Sequence, residues 1–184
     1  MRLARIALCG CTALLAFAAP ARAAVIVRAV PSAASIAAGD TLTVELRAAT
    51  DQSLFGFGLD LSFDGGVLSL TAAPVIAAPW DALNAPDGDG LAGLVFPNGI
   101  SGPDLLLATL SFSGIAPGLT TILPGVTAGD LTEGFPLDPS GFAFDVSFVG
   151  AEVQVVPEPS SALLLGFALA ALAVARGVLG SSRR

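Results

Sequence analysis

Hydrophobic and polar residues alternate with a period of two through the middle of the chain. In residues 41–48 every second side chain is apolar, namely Leu42, Val44, Leu46 and Ala48. This alternation predicts a β-strand that buries one face. No stretch of residues 24–156 shows the 3.6-residue period of an amphipathic helix.

The same period recurs in three longer runs. In residues 54–64 the predicted inward side chains are Phe55, Phe57, Leu59, Leu61 and Phe63. In residues 104–113 they are Leu106, Ala108, Leu110 and Phe112. In residues 142–155 they are Phe142, Phe144, Val146 and Phe148, after which the phase switches to Val153 and Val155. An extra residue near Gly150, a β-bulge, accounts for that switch.

Weaker strands are predicted at residues 25–30, 67–71, 91–97 and 119–123, with turns rich in Gly, Pro and Asp between them. About eight short strands over 133 residues predict one all-β domain, an antiparallel β-sandwich spanning residues 24–156.

The order of short motifs resembles that of a cohesin-like domain. The motifs are the turn at residues 38–41, Gly56 and Gly58, residues 61–64 and residues 107–112. The resemblance implies a β-sandwich of jelly-roll type. Cohesin domains bind dockerin modules through one sheet face, but none of their contact residues carries over to this chain.

The N-terminus predicts an export signal. Arg2 and Arg5 precede an apolar stretch at residues 6–19, and Ala21 and Ala23 supply the small residues that signal peptidase accepts. We therefore expect a signal peptide over residues 1–23. The alternatives are an uncleaved membrane anchor and, because of Cys9 and Cys11, a lipoprotein signal.

The C-terminus combines a Pro-Glu-Pro motif, an apolar stretch and arginines. These are Pro157, Glu158 and Pro159, a predicted transmembrane helix at about residues 160–175, and Arg176, Arg183 and Arg184. This order in residues 157–184 resembles the PEP-CTERM sorting signal, although residues 177–182 split its arginine cluster. The resemblance implies an inner-membrane precursor, processing by an exosortase, and delivery to the surface or extracellular matrix of a Gram-negative bacterium. The alternative is a plain C-terminal membrane anchor.

Charge and composition exclude several functions. Residues 24–156 contain two arginines and 14 acidic residues, a net charge of −12, which repels nucleic acid. They contain no His, Cys, Lys or Tyr, so the common nucleophile–base pairs are absent. Asp60 and Asp64 share a strand face but lie about 13 Å apart, too far for a glycosidase pair. We expect a noncatalytic protein.

One loop and one aromatic residue are candidates for ligand binding. Asp87 and Asp89 alternate with glycines in residues 84–90 and form a partial oxygen-ligand set for Ca²⁺, although an Asp-Gly turn needs no metal. Trp80, the only tryptophan, either stacks on a sugar or packs at the sandwich edge. No other cofactor is expected.

Two functions fit these features. The first is a noncatalytic surface or matrix protein whose sandwich binds another protein or itself. The alternative is a carbohydrate-binding module that holds extracellular polysaccharide through Trp80. The aromatic residues that alternate in the strands are predicted to be core, so the first function is favoured.

Overall fold

The computed structural model describes residues 25–83, 91–137, 141–143 and 145–158, together with Leu169. Within these ranges thirteen β-strands form two packed layers. In chain order they are β1 (Val25–Pro31), β2 (Ser35–Ala37), β3 (Thr41–Leu54), β4 (Gly56–Gly58), β5 (Asp60–Ser62), β6 (Leu68–Leu70), β7 (Val75–Ile76), β8 (Asp81–Leu83), β9 (Ala92–Leu94), β10 (Ile100–Gly114), β11 (Gly118–Gly125), β12 (Val146–Val149) and β13 (Ala151–Val156).

The first layer is a sheet in the order β12-β1-β3-β10-β6, with β7 paired to β10. The second layer contains a sheet in the order β2-β13-β11-β5 and a small sheet in the order β4-β9-β8. Only Leu59 separates β4 from β5, so the small sheet continues the second layer. The prediction of an all-β sandwich is confirmed.

The chain crosses from the first layer to the second at both ends of the domain. β1 pairs with β12 in the first sheet, and β2 pairs with β13 in the second, both in parallel. The crossing between β12 and β13 occurs at Gly150. The predicted bulge at Gly150 is therefore wrong, because the phase of burial switches where the strand changes sheets.

The alternation in β3 buries the predicted side chains. Leu42, Val44, Leu46 and Ala48 are each at most 1% exposed. β3 pairs with β1 on one side and β10 on the other, which places it in the middle of its sheet. Its inward face therefore packs against the opposite layer, whereas Thr41 and Thr43 are exposed.

In β10 the prediction is correct for Ala108, Leu110 and Phe112, which are buried. It is wrong for Leu106, which is half-buried, whereas its neighbour Leu107 is fully buried. The pairing of β10 with β3 shifts register between Leu106 and Ala108. A bulge at this point places two consecutive side chains opposite one residue of β3 and changes the parity of burial.

Residues 54–64 form three strand segments in place of the single strand that was predicted. Leu54 ends β3, and β4 and β5 follow in the second layer. Phe57 and Leu59 are buried as expected, whereas Leu61 and Phe63 are half-buried against the core. Phe55 points away from the core and stacks on the exposed ring of Phe96, with 5.6 Å between the ring centroids.

The four weaker strands that were predicted correspond to β1, β6, β9 and β11. Three further strands, β2, β7 and β8, were not predicted, because they have only two or three residues each. Phe135 was not predicted as core either, since it follows β11 without regular alternation, yet it is fully buried.

Candidate functional site

A pocket of about 330 Å³ opens on the outer side of the small sheet. One wall comes from the sheet, where Leu83, Ala92 and Leu94 line it. The opposite wall comes from the connecting segment, which we define as residues 126–145 between β11 and β12. Its contributions include Leu131, Pro136 and Phe142. The pocket thus lies between a strand surface and the described part of the connecting segment.

Glycines allow the connecting segment to approach the sheet closely. A Cβ atom on Gly58 would lie only 2.3 Å from the carbonyl oxygen of Thr132. Gly134 lies opposite Gly58 and has a φ of +116°, a conformation that other residues rarely adopt. Phe135 follows Gly134 and anchors the segment in the core.

Phe142 lines this pocket and is 47% exposed. The prediction that its side chain points inward is wrong. Residues 141–143 do not continue the alternation of β12. They pair within the connecting segment, where Phe142 forms a bridge with Pro136. The predicted inward residue Phe144 lies outside the described residues.

Glu133 is also among the residues that line the pocket, and it is 9% exposed. Its Oε2 accepts a hydrogen bond from the backbone N–H of Thr127. The hydroxyl of Thr127 donates to Oδ2 of Asp60 on β5. Thr127 therefore holds two acidic side chains side by side.

Burial raises the pKa of Glu133, and the negative charges of Asp60 and Asp130 raise it further. The hydrogen bond from the Thr127 N–H acts in the opposite direction but does not cancel these effects. The site therefore favours the protonated form of Glu133 more than water does.

This pair was not predicted from the sequence, since Asp60 and Glu133 are 73 positions apart. The sequence carried one weak signal of a site, because Glu133 is the only acidic residue in the largely apolar stretch 131–137. Thr127 brings the two carboxyl groups together through its N–H and its hydroxyl. Asp64 bonds the N–H of Gly66 in its own turn and takes no part.

Trp80 is buried, with 5% of its surface exposed. Its indole N–H donates a hydrogen bond of 3.0 Å to the carbonyl oxygen of Leu106. Its ring packs edge-on against Phe57, with 5.3 Å between centroids. Because a sugar stacks only on an exposed ring, this position favours packing, the second of the two roles that the sequence left open for Trp80.

The candidate calcium ligands Asp87 and Asp89 lie outside the described residues. Within the described part of the chain, no group of three or more acidic, His or Cys side chains is arranged to hold a metal ion.

Most of the predicted processing residues also lie outside the described ranges. These are Ala21, Ala23, Pro159, Arg176, Arg183 and Arg184. Pro157 and Glu158 are described and exposed, directly after β13 ends at Val156. Across the ranges that the structure describes, no helix is long and apolar enough to cross a membrane.

The two arginines of the domain lie in the first layer, on β1 and β3. Arg28 and Arg47 are paired in register, and both contact the carboxylate of Asp104 on β10. Arg47 also bonds Glu45, with 2.7 Å between Nε and Oε2. Both positive charges are therefore committed to this cluster.

Comparisons with known proteins identify the fold. No protein-family model matches the sequence, and no curated protein matches it significantly. Among solved structures, the third ScaB cohesin of R. flavefaciens, solved in complex with a group 1 dockerin, is 12% identical, with a TM-score of 0.57 over 75% of this chain and 99% of the cohesin.

Two further cohesins are similar. A non-cellulosomal cohesin from the archaeon Archaeoglobus fulgidus is 15% identical, with a TM-score of 0.55 over 77% of this chain and 96% of the cohesin. The cohesin module of a family 33 glycoside hydrolase from Clostridium perfringens is 10% identical, with a TM-score of 0.54 over 72% of this chain and 98% of the module. The described domain therefore has a cohesin-like fold.

Proposed function

We propose that this chain is a noncatalytic exported protein whose β-sandwich binds another protein, or a second copy of itself, outside the cell. The observation that carries this proposal is the exposed apolar surface around the pocket. Leu131 is 92% exposed, Phe142 47% and Leu83 41%. Clustered exposed apolar side chains mark interaction surfaces in soluble proteins.

The fold supports the same conclusion. The R. flavefaciens cohesin of similar fold was solved in complex with a dockerin, so this type of sandwich serves as a protein-binding module there. The contacts of this chain must differ, because the two sequences are only 12% identical. Polysaccharide binding through Trp80 has no support, since the indole is buried.

Pull-down from the native cell envelope tests the binding function. The bait is the exported protein, compared with its Leu131→Asp variant. We expect the variant to lose the bound protein, because a charge replaces an apolar side chain at the pocket rim. Val75→Asp is the control, since Val75 is 66% exposed on β7 in the other layer. Equal capture by all three baits would refute a binding surface at the pocket.

We propose in addition that an exosortase-type system sorts the chain through residues 157–184. The sequence motif carries this proposal, and the exposure of Pro157 and Glu158 leaves them accessible to an enzyme. In a host with an exosortase, the extracellular form should begin near Ala24 and end near Pro157–Pro159. Its intact mass decides between processing and retention. Recovery of a chain that still carries residues 162–175 would reduce the tail to a membrane anchor.

A further inference from the structure

The pocket combines apolar walls with one charged group. Among the described residues that line it, only Glu133 is charged, and it is 9% exposed. From this arrangement we infer that the pocket binds a lysine or arginine side chain of a partner protein, with the cation at Glu133. The inference rests on the proposed function, since it names the chemistry by which the protein partner is recognised.

Glu133 has no cation of its own within the domain. The two basic residues between positions 25 and 158, Arg28 and Arg47, are both engaged with Asp104 in the first layer. Among the described residues, Asp60 on β5 and Asp130 in the connecting segment act electrostatically on Glu133, and both carry the same sign of charge as its carboxylate. A cation from outside would relieve this repulsion and compensate the buried charge.

The shape of the pocket fits an amphipathic side chain. A lysine carries its ammonium group on four methylene groups, which bury well against apolar surface while the charge meets an acid. The walls formed by Leu83, Leu94 and Pro136 offer that surface. A volume of about 330 Å³ also accepts the larger guanidinium group of an arginine.

The surroundings of the pocket favour a side chain on a protein over a free amine. Leu131 and Phe142 line the pocket but remain 92% and 47% exposed, so they form its outer rim. A free amine would fill the pocket and leave these rim residues in water. A protein segment would cover them, as occurs where a central anchor is ringed by neutral contacts that exclude water. The net charge of −12 over residues 24–156 also attracts a basic partner.

Titration with matched probes tests the inference. The purified full-length protein is titrated with acetyl-leucyl-lysyl-leucine amide and with the same peptide carrying norleucine, which keeps the stem and lacks the ammonium. A third probe is n-butylammonium alone. Methyl NMR of the leucine side chains reports where each probe binds. We expect the lysine peptide to bind at Leu83, Leu94 and Leu131 at least about tenfold more tightly than either other probe.

Two variants separate the charge from the rim. Glu133→Gln keeps the shape of the side chain. It should lower the affinity for the lysine peptide about tenfold and leave the affinity for the norleucine peptide unchanged. Leu131→Ser alters a side chain that is 92% exposed, so the variant should fold normally. It should lower the affinity for the lysine peptide more than the affinity for n-butylammonium. Asp51→Asn is the control, because it removes an exposed negative charge from β3.

Three outcomes would overturn the inference. Equal binding of the lysine and norleucine peptides would show an apolar pocket without charge recognition. Equal binding of the lysine peptide and n-butylammonium would show a site for small amines. Loss of lysine binding in Asp51→Asn equal to that in Glu133→Gln would show attraction by net charge only. None of these results would affect capture of a protein through Leu131. The pull-down with Leu131→Asp therefore tests the proposed function independently.

Discussion

Gly58 and Gly134 exchange two backbone hydrogen bonds, each 2.9 Å long, although they lie 76 positions apart in the chain. This pair fastens the connecting segment to β4 and forms one side of the pocket. Neither residue has a side chain, so the two backbones approach within hydrogen-bonding distance while Thr132 and Glu133 pass directly over Gly58.

Gly58→Ala should destabilise the domain and displace the wall of the pocket. The new Cβ would lie 2.3 Å from the carbonyl oxygen of Thr132 and 3.0 Å from Cα of Glu133, so the backbone must move. We expect a loss of about 1–3 kcal/mol in the free energy of unfolding, measured by urea denaturation. Gly65→Ala is the control, because nothing lies within 4 Å of its added Cβ. Equal midpoints for the two variants would contradict the close approach.

Phe112→Ala tests the packing between the two layers. Phe112 is fully buried and meets Phe63 of the other layer edge-on, with 5.1 Å between ring centroids. Its truncation should cost about 3–5 kcal/mol, since it leaves a cavity in the core. Ser113→Ala, at the next position on the opposite face of β10, should change stability by no more than about 0.5 kcal/mol. Similar losses from both would show that the parity of β10 is misassigned at this end.

Trp80→Phe tests whether the tryptophan packs or binds sugar. The substitution keeps an aromatic ring but removes the N–H that bonds the carbonyl oxygen of Leu106. We expect a loss of about 1–3 kcal/mol, because a partly buried acceptor loses its donor. Retention of host exopolysaccharide on an affinity gel should stay unchanged. A selective loss of polysaccharide binding at unchanged stability would show that Trp80 binds sugar and does not serve in packing.

Glu133→Gln should raise the thermal midpoint at pH 7, and the gain should disappear on acidification. The folded state raises the pKa of Glu133, so folding favours its protonated form. The stability that this group contributes is present below the pKa of the unfolded chain, about 4.3, and is lost as pH rises through the higher folded value. Glutamine removes the charge that causes the loss.

Thermal unfolding from pH 3.5 to 8 measures this difference. Glu152→Gln serves as the control, because it removes an exposed carboxyl group from β13. A thermal midpoint for Glu133→Gln below that of the original protein at pH 7 would mean that the carboxylate stabilises the fold. That result would contradict the prediction that its surroundings disfavour the charged form.

The alternation of apolar residues was enough to predict the sandwich and much of its core. Leu42, Val44 and Leu46 could be assigned to the buried face because the side-chain period of a strand is two, whatever its partners. The same reasoning identified Phe57 and Leu59, since a short strand retains its parity even when the chain changes sheets on either side.

Tertiary structure decided every feature that depends on which strands meet. The bulge that buries Leu107 arises from the register of β10 against β3, which no local pattern encodes. The crossing at Gly150 looks like a bulge in sequence because both events shift the parity of burial. Only the pairing of β12 and β13 with different sheets separates them.

The candidate site could not be predicted from the sequence for the same reason. Asp60 and Glu133 come together because the connecting segment, which comes after β11 in the chain, lies next to β4 and β5. Thr127 of this segment then bonds both carboxyl groups. Trp80 could be assigned to the surface or the core from its neighbours alone, and the position of the Leu106 carbonyl placed it inside. Short-range patterns determine which face of a strand is apolar, whereas pockets and charge pairs depend on distances between segments far apart in the chain.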